Sequence, residues 1–210
     1  DFHTTLAKVA DFLGVKPSRN GKSKSGKPAG KKNPLEQVDW PKTPEAHHDK
    51  LIAGWCESKP PVTETAARMF GARFCWWPKR RDGKFRCVAF TGRDTKGKTK
   101  AVLLYRVEGV DFSEFGKLQQ RKSHSVGGSL ESWLYAGEPE TLNAAKVLIK
   151  CEGLPDAIAL LSVGLPAGWV VITNACGAKS ANPKKLDCDF AAGKKVVIVG
   201  DADKPGQEGG

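Results

Sequence analysis

No Cys-x-x-Cys pair occurs in this chain. No apolar run approaches the ~18 residues that a membrane span requires, and the first residues carry no signal-peptide pattern. Each absence closes a class. Without cysteines at ligand spacing there is no zinc framework. The six cysteines (Cys56, Cys75, Cys87, Cys151, Cys176 and Cys188) are scattered. Those in FRCVAF and VLIKCEG sit among apolar residues and read as small hydrophobes of a reducing cytoplasm. Acids are scarce too: 23 Asp and Glu stand against 34 Lys and Arg, a net charge of +11. That balance favours a polyanionic partner, nucleic acid first; the plain alternative is a basic protein with no such partner. Hydrophobic residues make up 40% of the 210, enough to build a core in one large domain or two small ones.

Along the chain the periodicity changes three times. Leu6, Val9, Ala10 and Leu13 share one face of a short helix over 4–13. SRNGKSKSGKPAGKKNP then has no acid and no large apolar residue, the composition of a flexible basic tether. PEAHHDKLIAGWCES and VTETAARMFG read as helices, the second with Thr63 as N-cap and Gly71 as C-cap. His47 and His48, adjacent and about 100° apart on a helix, read as surface residues. ARFCWWP, KFRCVAFTG and KAVLLYRVEG are strand-like, and KRRDGK and RDTKGK between them carry turn residues, which predicts a small antiparallel meander with basic turns. From residue 146 the strands become almost wholly apolar. KVLIKC, WVVITN and KKVVIVG alternate with LPDAIALLSVG and SANPKKLDCDFAAG, the pattern of a parallel α/β sheet buried on both faces.

Carboxylates punctuate the ends of those strands. Glu152 follows the first, and Asp201 and Asp203 follow the third. Strand C-termini of an open parallel sheet share one edge, where sites form. In extended chain, residues i and i+2 face the same way, so Asp201 and Asp203 can hold one ion together. An all-carboxylate donor set with no His or Cys suits Mg²⁺ or Mn²⁺ rather than zinc. Asp156, at the start of the following helix, is a candidate fourth ligand or a helix N-terminal cap. DADKPGQEGG is not a calcium loop, because Pro205 stands where a ligand is needed and no helix precedes it. The bland alternative is that the acids merely cap strand ends.

VLIKCEGLPDAIAL followed by VVIVGDADKPG resembles the Toprim domain of bacterial-type primases, topoisomerases and some nucleases. The shared pattern is a strand ending in Glu-Gly, an Asp three residues after that Gly, and a later strand ending in Asp-x-Asp: here Glu152, Gly153, Asp156, Asp201 and Asp203. The stretch from about 60 to 145, through FGARF, GKFRCVAF, RDTKGKTKAVLLYR and GKLQQRKSHSVGGSLESWL, resembles the basic half of the RNA-polymerase core of phage-type primase–helicases. NACGAKSANPKK resembles that family's glycine and lysine segment, and FHTTLAKVADFLGV the tail that follows a primase zinc finger.

The resemblance implies an α/β protein: an α+β N-terminal part with a small antiparallel sheet, then a Rossmann-like parallel Toprim sheet. It divides the chain into a helix at 1–15, a linker at 16–39, a basic primase-core subdomain at 40–144 and a Toprim domain at 145–210 that normally continues with another helix and strand. It implies primer synthesis on single-stranded DNA. A ribonucleotide 3′-hydroxyl attacks the α-phosphate of an incoming ribonucleoside triphosphate, and pyrophosphate leaves. Glu152, Asp201 and Asp203 would hold Mg²⁺ or Mn²⁺, with Glu152 alternatively a base and Asp156 an additional ligand. Lys117, Arg121 and Lys122 would grip nucleotide phosphates or template, with Arg106 and Lys179 as lesser candidates. A replicative helicase, fused or separate, is the implied protein partner, and no membrane is involved. A repair-type Toprim nuclease and a non-catalytic DNA-binding module stay open. A topoisomerase would need a nucleophilic tyrosine, and only Tyr105 and Tyr135 exist.

Overall fold

The computed structural model describes residues 33–43, 45–79, 84–108, 112, 121–175 and 187–200. The predicted helix over 4–13 lies outside them. The described residues begin inside the stretch expected to be a tether. The Asn33 side chain caps Leu35 N at 3.1 Å and starts a 3-10 turn, Pro34–Gln37. Val38 is then fully buried, and Asp39 pairs with Trp76 through two 3.0 Å backbone bonds. The end of that segment is therefore not a free tether: a proline and a valine with apolar surface to cover anchor it.

Helix α1 spans Ala46–Glu57 and α2 spans Glu64–Met69. Thr63 caps α2 by accepting from Ala66 N at 3.3 Å, and Gly71, at φ +82°, closes it. Strands β1 (Arg73–Trp77), β2 (Phe85–Arg93), β3 (Thr99–Arg106), β4 (Ser123–Ser125) and β5 (Trp133–Tyr135) follow. Then come α3 (Pro139–Ala144), β6 (Val147–Cys151), α4 (Leu154–Ser162), β7 (Trp169–Asn174) and, after a 3-10 turn at Asp189–Ala191, β8 (Lys195–Val199).

One sheet takes in all eight strands, in the order β4-β3-β2-β5-β7-β6-β8, with β1 also paired to β2. The β6–β7 and β6–β8 pairs are parallel and the others antiparallel. The meander and the parallel strands expected from the sequence are therefore two halves of one mixed sheet. Three-residue β5 is the seam, meeting Arg93 of β2 on one side and Ile172–Asn174 of β7 on the other.

Strand alternation sorts the core into two faces. Val88, Phe90, Leu103 and Tyr105 join Ile149, Val171 and Ile158 under α1, α2 and α4 in one cluster that crosses the seam. Opposite them, Cys87, Ala89, Val102 and Leu104 pack with Val38, Trp77 and Phe112 in the antiparallel half, and Leu148, Ile172 and Trp133 pack with Leu142 and Phe190 in the parallel half. Gly92 is obligatory at the seam, because a Cβ there would stand 2.3 Å from Ser132 Oγ and 2.7 Å from Ala175 Cβ.

Two expectations are corrected. β8 is not buried on both faces: Val196, Ile198 and Val199 are 47%, 54% and 42% exposed, because β8 ends the sheet and, among the described residues, no strand pairs with its outer edge. His48 is not on the surface. It is 3% exposed, stacked on Phe74 with centroids 4.4 Å apart, and its Nδ1 accepts from Glu45 N at 3.2 Å. Among the described residues, no helix is long and apolar enough to cross a membrane.

Candidate active site

The edge formed by the C-terminal ends of β6, β7 and β8 carries the two described acids of the predicted set, Glu152 and Asp156. Glu152 leaves the central strand. Its backbone N donates to Val199 O at 3.1 Å, and its carbonyl accepts from Thr173 Oγ1 at 3.2 Å, so both neighbouring strands fix its peptide. Its carboxylate lies over the end of β8, with Oε2 4.0 Å from where a Gly200 Cβ would be. Gly200 leads directly to Asp201. Asp201 and Asp203 lie outside the described residues, as do Lys117 and Lys179.

Gly153 makes room for Asp156, whose Oδ2 would be 2.5 Å from a Cβ at Gly153. Asp156 sits in the first turn of α4, exposed, where a negative charge faces the helix N-terminus favourably. The carboxylates of Glu152 and Asp156 are hard oxygen donors of the kind that suit Mg²⁺ or Mn²⁺. Just below, Lys150 turns its ammonium up to the Cys151 carbonyl. Burial pulls its pKa down to about 8 against the opposing charges of Cys151 and Glu152.

The basic candidates divide. Lys122 and Arg121 are exposed at the entry to β4. Burial lowers the His124 pKa to about 4, and the charge of Arg121 contributes. Arg106 ends β3 with its guanidinium 4.5 Å from the Phe85 ring, on the antiparallel half. Tyr105 connects this region to the acids. Burial raises its phenol pKa, and the charge of Asp156 adds to the rise. Tyr135 is buried as well, donating to Asp94 O at 3.1 Å. Neither tyrosine is presented as a nucleophile.

Sequence reasoning missed a second feature of the same edge. By register Arg93 pairs with Trp133 and Trp133 with Asn174, at the level where Glu152 leaves the adjoining strand. There a cleft of about 580 Å³ is lined by Arg93, Asp94, Lys96, Lys100, Trp133 and Asp187 among others. Its polar groups are largely engaged. Arg93 donates to Tyr135 O and Gly137 O, Lys100 pairs with Asp94, and Asp187 accepts from Thr95 Oγ1 and, through its carbonyl, from Trp133 Nε1. The only available signal was RDTKGK, which also fits an ordinary turn.

Among the described residues, one group of three side chains could bring metal-ligating atoms within 4.8 Å of one another: Glu45, His47 and His48. It is occupied with capping α1, since His48 Nδ1 accepts the Glu45 amide and His47 Nδ1 lies 3.0 Å from Glu45 Oε2.

No family model matches the sequence, and no curated protein is similar to it. Solved structures do match. The primase fragment of the bacteriophage T7 primase-helicase protein superposes with a TM-score of 0.51 at 15% identity, over 90% of this chain and 66% of that one. The chain has the fold of a primase core. The E. coli primase catalytic core matches with a TM-score of 0.50 at 16% identity, over 78% of this chain and 61% of that one. The chain thus spans a little under two thirds of the length of these primase structures.

Proposed function

We propose that this chain is the catalytic core of a DNA primase, building short RNA primers on single-stranded DNA from ribonucleoside triphosphates. The observation that carries the proposal is Glu152, its peptide fixed at the end of the central parallel strand and its carboxylate lying over Gly200, within a primase-like fold. Glu152, Asp201 and Asp203, with Asp156 beside them, are the residues that would hold Mg²⁺ or Mn²⁺. A divalent ion bound there would neutralise and polarise the reacting phosphate. Two strands hold the Glu152 backbone, so the residue that would help align a primer 3′-hydroxyl with a triphosphate stands on a rigid element. Lys117, Arg121 and Lys122, and more distantly Arg106 and Lys179, would bind phosphates of nucleotide or template. A cytoplasmic location and a helicase partner follow from the same proposal.

The test is incorporation of labelled ribonucleotides on single-stranded DNA with Mg²⁺ or Mn²⁺, comparing this chain with Glu152→Gln. Short metal-dependent products, reduced about 10²-fold or more in the variant at unchanged Tm, are expected. Products made equally well by both proteins would remove Glu152 from the site. Metal-dependent cleavage of DNA without synthesis would replace the primase with a Toprim nuclease.

A further inference from the structure

Lys150 is the charged residue in the otherwise apolar run of β6, Val147–Cys151. Its register partners are apolar on both sides, Ile172 of β7 and Ile198 of β8. Alternation puts it on the face of Leu148, opposite Ile149 and Cys151, which pack under the helices. An isoleucine or valine would fill this place with no charge to desolvate, whereas a half-buried ammonium costs stability.

The side chain does not run out to water. Its ammonium donates to the Cys151 carbonyl. That carbonyl belongs to the peptide unit whose nitrogen is Glu152 N, so the positive charge stands one peptide from the residue that begins the acid edge. The same peptide is held in place, because Glu152 N donates to Val199 O at 3.1 Å. Among the described residues, Lys150 forms no ion pair with a carboxylate. The strand end therefore carries a built-in cation beside its acids.

A fixed cation changes what an acidic edge accepts. Repulsion between like charges falls only as 1/r, and half-burial reduces its screening. A bare divalent ion approaching Glu152 and Asp156 meets that repulsion in full. An ion that arrives bound to a triphosphate brings negative charge of its own, which the ammonium attracts. We propose that Lys150 is the selectivity element of the acid edge, lowering its affinity for a free divalent ion and favouring the ion carried by a nucleoside triphosphate; that the edge holds a divalent ion rests on the function proposed above.

The experiment titrates the 210-residue chain with Mn²⁺ at pH 7.0 and low KCl, reading free ion by electron paramagnetic resonance. A second titration follows the anisotropy of a fluorescent ATP analogue premixed with Mn²⁺. Neither readout requires primer synthesis. Lys150→Met keeps an apolar stem between the two isoleucines and removes the charge, and Lys150→Arg keeps the charge. Lys150→Met should bind free Mn²⁺ about 3- to 10-fold more tightly and the Mn²⁺-loaded analogue about 3-fold more weakly. Lys150→Arg should stay close to the parent in both, and added KCl should shrink both differences. Tm of Lys150→Met should hold or rise, because a half-buried charge is gone; a purely structural lysine gives no opposite shifts in the two affinities. Glu152→Gln tests the site itself and should weaken Mn²⁺. If it does, and Lys150→Met leaves both affinities unchanged or moves both in one direction, the selectivity role is overturned while the metal site stands. If Glu152→Gln leaves Mn²⁺ affinity untouched, the acid edge is not the metal site, and the proposed function falls together with the role of Lys150.

Discussion

The two halves of the sheet solve the burial of a β-layer differently. In the antiparallel half, β2 and β3 alternate: Val88, Phe90, Leu103 and Tyr105 face the helices, while Cys87, Ala89, Val102 and Leu104 face a second cluster. In the parallel half, β6 and β7 are apolar at nearly every position, yet β8, equally apolar in sequence, is largely exposed. Apolar content alone therefore does not report burial. The central strand of three is covered on both edges and both faces, whereas the last strand gains only what its single partner and the packing elements give it. The candidate active site uses this asymmetry. Glu152 rises from the central, immobilised strand, and Gly200 ends the exposed one.

The sharpest way to break the comparison is to truncate the same residue type on the two strands. Ile149→Ala, at a position 4% exposed, should cost about 2–5 kcal/mol. Ile198→Ala, 54% exposed, should stay within about 0.5 kcal/mol. Urea denaturation of both variants decides it, and equal losses would mean that β8 is covered in solution.

The seam gives a smaller effect. Gly92→Val places a branched side chain where even a Cβ would stand 2.3 Å from Ser132 Oγ and 2.7 Å from Ala175 Cβ. Overpacking of this kind costs about 1–3 kcal/mol. The expected sign is a drop in Tm together with reduced primer synthesis, since Ala175 follows the strand that braces Glu152 through Thr173.

The smallest effect belongs to the far face of the antiparallel half, where His124 packs 4.5 Å from Trp77. Burial holds its folded pKa near 4, below the ordinary 6.5. Between those values the unfolded chain binds a proton that the folded chain does not, so stability rises with pH across this window and is lost as pH falls below about 6.5. His124→Gln should flatten part of that slope. Denaturation midpoints at pH 4.5 and 7.0, compared between the two proteins, measure it.

Much of this architecture was legible in local chemistry. The helices around 44–58 and 62–71 appear as α1 and α2, with the Thr63 and Gly71 caps in place, because capping is decided within four residues. The three strand-like stretches of the middle, and the alternation of apolar strand and helix after residue 146, follow from periods of 2 and 3.6. The position of Glu152 at a strand end was legible because the end of an apolar run marks the end of a buried strand.

Contacts between distant segments were not legible. His48 looks polar by itself and is buried because Phe74 lies against its ring. Lys59 looks like one of many lysines until its ammonium is seen 4.9 Å from the Trp55 ring. Arg93 and Trp133, 40 positions apart, line one cleft only because β5 pairs with both halves of the sheet. Residue order and periodicity determined which segments are helix or strand and that a carboxylate would stand at a strand end, since these depend on neighbours along the chain. The tertiary structure decided that the two halves form one sheet, that its last strand stays exposed, and which charges meet. Those outcomes depend on the register between strands and on what covers each edge.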